Sequence, residues 1–222
     1  MNLRPIFAVI PMLGLSLLLS GCGSLLAPQA APLTYRLNAE STAQPSIQAN
    51  NQARFPFTLQ VATPLSEAGF NTSAIAYRQQ PYRLDYYTQS RWVDQPATLL
   101  GEQITLALEQ SGAYRAVLAP NVTLPPDLRL VTELLSLEQV FSDSTTTPPS
   151  GNSTVRLALR MQLIDARNTT ILASGRIDLT QAALSADAAG AVTAANQALR
   201  EALPKIVQFC IENTPKTLGS TP

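Results

Sequence analysis

Two long runs of alternating apolar and polar residues constrain the fold of this chain more than any other feature. They cover residues 155–163 and 171–179. Successive side chains of a β-strand point to opposite faces of a sheet, so a period of two predicts strands with one buried face. The predicted buried face consists of Val155, Leu157, Leu159, Met161 and Leu163 in the first strand and of Ile171, Ala173, Gly175, Ile177 and Leu179 in the second. The polar residues 165–169 predict the turn of a hairpin between the two strands.

Shorter stretches predict further strands. They lie at residues 35–37, 57–61, 114–118 and 128–141, and residues 74–87 predict a hairpin with its turn near residues 79–81. Within 128–141 the alternation changes phase near Leu134 and Leu135, which predicts a β-bulge. The polar segments 38–54 and 142–153 have no period and predict loops.

A first amphipathic helix is predicted after residue 94. Asp94 is a suitable N-cap, and Pro96 is tolerated in the first turn. Apolar residues then recur at helical spacing as far as Leu108, and Gly112 predicts the end of the helix in a left-handed conformation.

A second helix is predicted over residues 187–211. Its apolar side consists of Ala188, Val192, Ala195, Leu199, Ala202, Ile206 and Cys210. Pro204 lacks a backbone N–H and predicts a kink or a break. Cys210 lies on the apolar side, which indicates a buried and unreactive thiol.

These elements predict an α+β fold, with a mostly antiparallel β-sheet and two long amphipathic helices packed on one face. The length of the chain allows one domain, which we assign to residues 34–212. Residues 213–222 are then a polar C-terminal tail.

The N-terminus has the pattern of a bacterial lipoprotein signal. A short basic region is followed by about 15 apolar residues, the length of a secretory signal. The sequence Leu19-Ser20-Gly21-Cys22 then looks like a lipobox. We therefore predict that residues 1–21 are removed, that Cys22 is lipidated, and that residues 22–33 form a tether. The alternatives are an ordinary signal peptide with an incidental cysteine, or an apolar helix.

The residue after the cysteine bears on the choice of membrane. Gly23 is not Asp, and in lipoproteins of the enteric type Asp at this position retains the protein in the inner membrane. By that resemblance, the sequence predicts anchoring at the periplasmic face of the outer membrane.

Composition argues against several classes of function. The chain has no His, and its 15 basic residues are balanced by 15 acidic ones. The lack of His removes the commonest general base and metal ligand, and the lack of a basic surplus argues against nucleic-acid binding. The sequence contains no nucleophile or phosphate-binding motif. We therefore predict a non-enzymatic protein without a metal or cofactor.

One stretch is rich in aromatic residues. Residues 77–92 contain four of the six tyrosines and the only tryptophan, namely Tyr77, Tyr82, Tyr86, Tyr87 and Trp92. Such residues suit an interface or the rim of an apolar ligand site. The alternative is that they pack the hairpin onto the first helix, which is favoured for Trp92 and Tyr86. Tyr87 points to the opposite face, where the two interpretations are nearly even.

The same stretch resembles the auxiliary lipoproteins of ABC-type envelope transporters, including the paraquat-inducible type. The resemblance is carried by Tyr86-Tyr87-Thr-Gln-Ser-Arg91-Trp92-Val-Asp94-Gln-Pro96, by the helix that follows, and by the step Gly112-Ala-Tyr114 into a strand. It implies contacts with a partner or ligand through Tyr86, Tyr87, Arg91, Trp92 and Asp94, and no catalytic residue.

The resemblance also implies partners. Such lipoproteins serve systems with an ATPase, a permease and a periplasmic MCE-domain protein, which move lipids or other apolar molecules between the two membranes. The domain would dock on the MCE protein, and it could form a homo-oligomer. The sequence leaves two alternatives open: a lipid-binding carrier, and a structural or stress-related envelope lipoprotein.

Overall fold

The computed structural model describes residues 31–39, 53–142 and 152–217. This part of the chain has an α+β fold, so the predicted class is confirmed. Its elements, which include one short 3-10 helix at Ala68–Phe70, are β1 (Leu33–Tyr35), β2 (Phe55–Val61), β3 (Leu65–Ser66), β4 (Ala74–Gln80), β5 (Arg83–Trp92), α1 (Pro96–Gln110), β6 (Tyr114–Leu118), β7 (Leu128–Phe141), β8 (Ser153–Asp165), β9 (Thr170–Ala182) and α2 (Ala188–Asn213). Cys22 and the predicted signal lie outside the described residues, as do most of the two predicted loops.

The sheet is organised around β7. One edge of β7 pairs with β8 in antiparallel orientation along its whole length, and β8 pairs in the same way with β9. The other edge pairs in parallel orientation with β2, β3 and β4 in turn. These three short strands follow one another along β7 like one interrupted strand. The sheet is therefore mixed, and its longest pairings are the predicted antiparallel ones.

The predicted bulge in β7 is confirmed. Leu134 pairs with Leu159 of β8, whereas Ser136 pairs with Ala158, which leaves Leu135 as the extra residue. An extra residue reverses the alternation of the strand, so apolar side chains continue to reach the core on both sides of it.

A second bulge makes one of our sequence predictions wrong. Leu163 of β8 pairs with Ala173 and Ile164 pairs with Ile171, so Leu172 is the extra residue in β9. The bulge moves Leu172 toward the core and leaves Ile171 53% exposed. Ile171 is therefore not part of the buried face that its alternation predicted.

Asp94, the predicted N-cap of helix α1, lies one residue before the actual N-cap. The N-cap is Gln95, which makes no side-chain capping bond, and Pro96 is the first helical residue. The Asp94 carboxylate instead accepts the Gln95 N–H at 2.6 Å. An N-cap side chain must immediately precede the first helical residue to reach the free N–H groups, so the assignment of Asp94 was wrong. Gly112 ends the helix with a φ of 60°, as predicted.

Helix α2 is capped by Asp187, whose carboxylate accepts the Gly190 N–H at 2.8 Å. Pro204 was predicted to cause a kink or a break, and the helix continues through it without a break. Ala202 and Ile206, on either side of the proline, are fully or almost fully buried. Packing of both halves in the core therefore compensates for the backbone hydrogen bond that proline cannot make.

Both helices contribute to one hydrophobic core, as predicted. Every residue predicted for the apolar side of α2 is buried, including Cys210. The backbone of β9 lies close to α2 at Gly175, where a β-carbon would be 2.9 Å from the Phe209 ring. Glycine therefore fits beside the Phe209 ring, which a larger residue at this position would displace.

One polar group in the core has no partner. Thr132 of β7 is fully buried, and its hydroxyl makes no hydrogen bond within the described residues. We expect Thr132→Val to raise the free energy of unfolding by about 1 kcal/mol, because it replaces an unsatisfied hydroxyl by a methyl group of similar size. Urea denaturation measures the change.

A matched control is Thr105→Val in α1. The hydroxyl of buried Thr105 donates to the Gly101 carbonyl at 2.8 Å, so its removal should lower the free energy of unfolding. Equal losses in the two variants would contradict the assignment at Thr132.

Candidate functional site

Residues 86–92, which carry the aromatic part of the sequence resemblance, lie in β5, next to the β1 edge of the sheet. β5 runs between β4 and β1, and Tyr35 of β1 is in register with Trp92 of β5. The first strand was predicted two residues too late, since β1 ends at Tyr35. Leu37, beyond the strand, is buried in the core.

Trp92 lies in the core at the end of β5. Its side chain is 3% exposed, and its backbone N–H donates to the Ser73 carbonyl at 2.7 Å. This placement supports the packing interpretation of Trp92.

Tyr86 spans the surface of the hairpin. Its side chain is 39% exposed, and its hydroxyl donates to the Gly69 carbonyl at 2.9 Å. The tyrosine therefore joins β5 to the 3-10 helix while leaving part of its ring on the surface.

Tyr87 faces the other side of the sheet and is half-buried. Its ring lies 4.8 Å from that of Tyr77, and its hydroxyl donates to the Gln139 Oε1 at 2.6 Å. The Gln139 amide in turn donates to the Ser185 carbonyl, close to the start of α2. Burial raises the pKa of Tyr87 above its ordinary value, and the Asp187 carboxylate adds to this effect. The phenol therefore stays neutral and serves as a hydrogen-bond donor.

Arg91 and Asp94 are both on the surface, and neither takes part in an ion pair among the described residues. Asp94 lines a cavity of about 260 Å³ between the end of β1 and the start of α1, opposite Arg36 and Asn38. The five predicted contact residues therefore do not converge. Two of them, Arg91 and Asp94, are charged surface groups, and of the five only Asp94 lines this cavity.

Side chains from both helices fix the wall of this cavity. The Ala39 N–H donates to Gln103 of α1 at 3.0 Å, and the Asn38 N–H donates to Asn196 of α2 at 2.6 Å. The backbone after β1 is therefore held against α1 by hydrogen bonds as well as by the buried Leu37.

A second and larger cavity was missed by the sequence analysis. It is a groove of about 450 Å³ along α1, bounded on its other side by Pro64 and by residues 119–121. Part of the signal is present in the sequence, because the helical spacing of the apolar residues leaves Glu102 and Glu109 on the outer side of the helix. The opposite wall comes from loops that are distant in sequence, so their position could not be predicted.

About half of the ionisable groups of the described residues are in ion pairs or buried. Arg156 and Asp178 are joined at 2.6 Å on the exposed face of the long hairpin, and this hydrogen bond lowers the pKa of Asp178. Burial raises the pKa of the Cys210 thiol to about 12. Among the described residues, no group of three or more His, Cys, Asp or Glu side chains could hold a metal ion.

No helix within the described ranges is both long enough and apolar enough to cross a bilayer. Helix α2 has the length, but its outer side carries polar and charged residues such as Arg200, Glu201 and Lys205.

Comparison with known proteins gives a family match and two similar folds. Residues 35–207 match the family described as ABC-type transport auxiliary lipoprotein component. A crystal structure of a Xanthomonas campestris protein of the family DUF330 is similar with a TM-score of 0.68 and 20% identity, over 81% of this chain and 95% of that chain. A crystal structure of an uncharacterized protein has a TM-score of 0.60 and 9% identity, over 81% of this chain and 99% of that chain. At these identities the likeness shows the fold alone. No curated protein matches the sequence.

Proposed function

Because the chain belongs to the family of ABC-type transport auxiliary lipoprotein components, we propose that it is a non-enzymatic accessory protein of an envelope transporter. Its partner is the periplasmic MCE-domain protein of a system that moves lipids or other apolar molecules between the inner and outer membranes. A lipid on Cys22 anchors it at the periplasmic face of the outer membrane.

The observation that carries this proposal is the extent of the family match. The match runs from the last residue of β1 into α2, and so covers almost the whole described domain. The predicted lipobox at residues 19–22 independently supports a lipoprotein of the cell envelope.

The chemistry of the domain also supports an accessory role. The sequence has no His. On and beside the long hairpin, the carboxylates of Asp178 and Glu133 form ion pairs with arginine side chains. We therefore expect the domain to act by positioning or holding another molecule, and not by catalysing a reaction.

The proposal predicts a stable complex. The full-length lipidated protein, tagged at its C-terminus and extracted in mild detergent, is expected to co-purify with the MCE-domain protein of its transporter. An unrelated tagged lipoprotein of similar abundance serves as the control. Chemical cross-linking of the same preparation reports whether copies of the chain also associate with one another.

Two results would contradict the proposal. One is the absence of the MCE-domain protein from the purified complex, together with unchanged outer-membrane permeability in a deletion strain. The other is stoichiometric phospholipid on the isolated protein in native mass spectrometry, which would favour a carrier that acts on its own.

A further inference from the structure

The groove along α1 has a regular wall that no other part of the described fold covers. Six residues of the helix line it: Thr98, Gly101, Glu102, Thr105, Leu106 and Glu109. Their spacing of three and four residues places them on one stripe of the helix, over about three turns. The groove therefore runs along the helix for most of its length.

The opposite wall of the groove is mostly apolar, with Thr63 and Asn121 at its ends. A β-carbon at Gly101 would lie 2.8 Å from the Pro64 ring, so Gly101 allows the loop after β2 to pack directly on the helix. Ala119 and Pro120 continue the wall after β6. Leu106 contributes a large apolar side chain that is 42% exposed.

The buried hydroxyl of Thr105 does not oppose apolar contacts in the groove. The Thr105 hydroxyl is already bonded to the Gly101 carbonyl within the helix. An apolar side chain entering the groove therefore does not leave this hydroxyl without a partner.

The groove carries a net negative charge. Glu102 and Glu109 both line it, and no described residue forms an ion pair with either. Helix α1 contains no Lys or Arg, and Glu109 lies in the last turn, where the helix dipole is also negative. The two carboxylates are seven residues apart, which is about 10 Å along a helix.

We propose that this groove is the docking site for a segment of the partner protein, in which apolar side chains are flanked by Lys or Arg. Apolar side chains of the segment fill the space between Leu106 and Pro64, and its basic residues pair with Glu102 and Glu109. The identification of that partner as the MCE-domain protein rests on the proposed function. The negative charge disfavours phosphate head groups, so the charge pattern argues for a protein segment over a phospholipid.

Site-specific photo-cross-linking tests the location. A photo-reactive p-benzoylphenylalanine is placed at Thr98 or Leu106 of the full-length chain, in cells that express the transporter. Gln197, an exposed residue of α2, is the matched control position. We expect cross-links to the MCE-domain protein from both groove positions, at least five times stronger than from Gln197. Equal cross-linking from all three positions would overturn the proposal.

Charge reversal tests the chemistry. The double variant Glu102→Lys and Glu109→Lys is expected to weaken binding of the MCE-domain protein at least tenfold. The exposed Glu212 of α2 provides the matched control, since Glu212→Lys should change binding less than twofold. Unchanged thermal unfolding of the variants shows that they are folded. If the double variant binds with wild-type affinity, the groove is not the docking site, while the proposed function still holds.

A peptide probe tests the groove without the transporter. The probe is a fluorescent 18-residue amphipathic helix with a leucine face and two lysines seven residues apart, and its control has glutamates in place of the lysines. We expect the lysine peptide to bind the full chain at least ten times more tightly, and to lose this preference in Glu102→Gln/Glu109→Gln. Binding here without any MCE complex would support the groove and contradict the partner. Equal affinity for both peptides, or no binding at millimolar concentration, would overturn the proposal that the groove binds an apolar segment with basic residues.

Discussion

Replacing Trp92 by alanine is expected to lower the free energy of unfolding by about 3–5 kcal/mol, because it leaves a cavity in the core. The side chain is 3% exposed and belongs to the main hydrophobic cluster. Domains of this size are stable by only about 5–15 kcal/mol, so the variant should be close to unfolding at physiological temperature. Urea denaturation followed by circular dichroism is the suitable measurement, since the substitution removes the only tryptophan.

Leu184→Ala is the control for this prediction. Leu184 is 87% exposed, and its loss should change the free energy of unfolding by less than about 0.5 kcal/mol. A Trp92→Ala variant that unfolds like the wild type but no longer binds its partner would show that Trp92 is a contact residue instead.

Replacing Cys22 by serine is expected to abolish lipidation completely, because serine has no thiol to form the thioether. Metabolic labelling with palmitate followed by purification measures the effect. Attached acyl chains contribute about 0.8 kcal/mol per buried CH₂ to membrane binding, so the unlipidated chain should lose its anchor. To separate anchoring from signal cleavage, the variant is also exported behind the signal peptide of a soluble periplasmic protein. It should then appear in the soluble fraction.

The chain provides its own control in Cys210, the only other cysteine. Because this thiol is buried in α2, Cys210→Ala should leave palmitate incorporation unchanged. Gly23→Asp should keep the label but move the protein to the inner-membrane fraction. Labelling that survives Cys22→Ser would show that the predicted lipobox is not the lipidation site.

The elements predicted well are those whose pattern is local. The alternation in β8 and the spacing of apolar residues in α2 are properties of single segments, and both elements form where they were expected. The phase change in β7 likewise marks its bulge. The bulge in β9 could not be predicted, because Ile171 and Leu172 are both apolar and either side chain could face the core.

The parallel pairings could not be predicted in this way. β2, β3 and β4 pair with β7, which is about 60–70 residues away in sequence. The periodicity of a strand does not identify the strand with which it pairs. β3 has only two residues, which is too short for any periodic pattern.

The same limit applies to the candidate site. Tyr86 and Tyr87 are adjacent in sequence but lie on opposite faces of the sheet, so the aromatic stretch does not form one surface. The groove along α1 requires Pro64 and Pro120 to come together from two different loops. Only tertiary packing, which the sequence pattern does not contain, brings these residues to one helix.

The position of β1 sets how far the domain can travel. The sheet begins at Leu33, so with a lipid on Cys22 only a chain of about ten residues separates the bilayer from folded structure. Even when fully extended, this tether would span only about 35–40 Å. A domain anchored in this way would be confined to a thin layer beside the membrane, where its effective concentration for a partner in the same layer would be high. A transporter component that ends short of this layer would then be out of reach, however well its surface matches that of the domain.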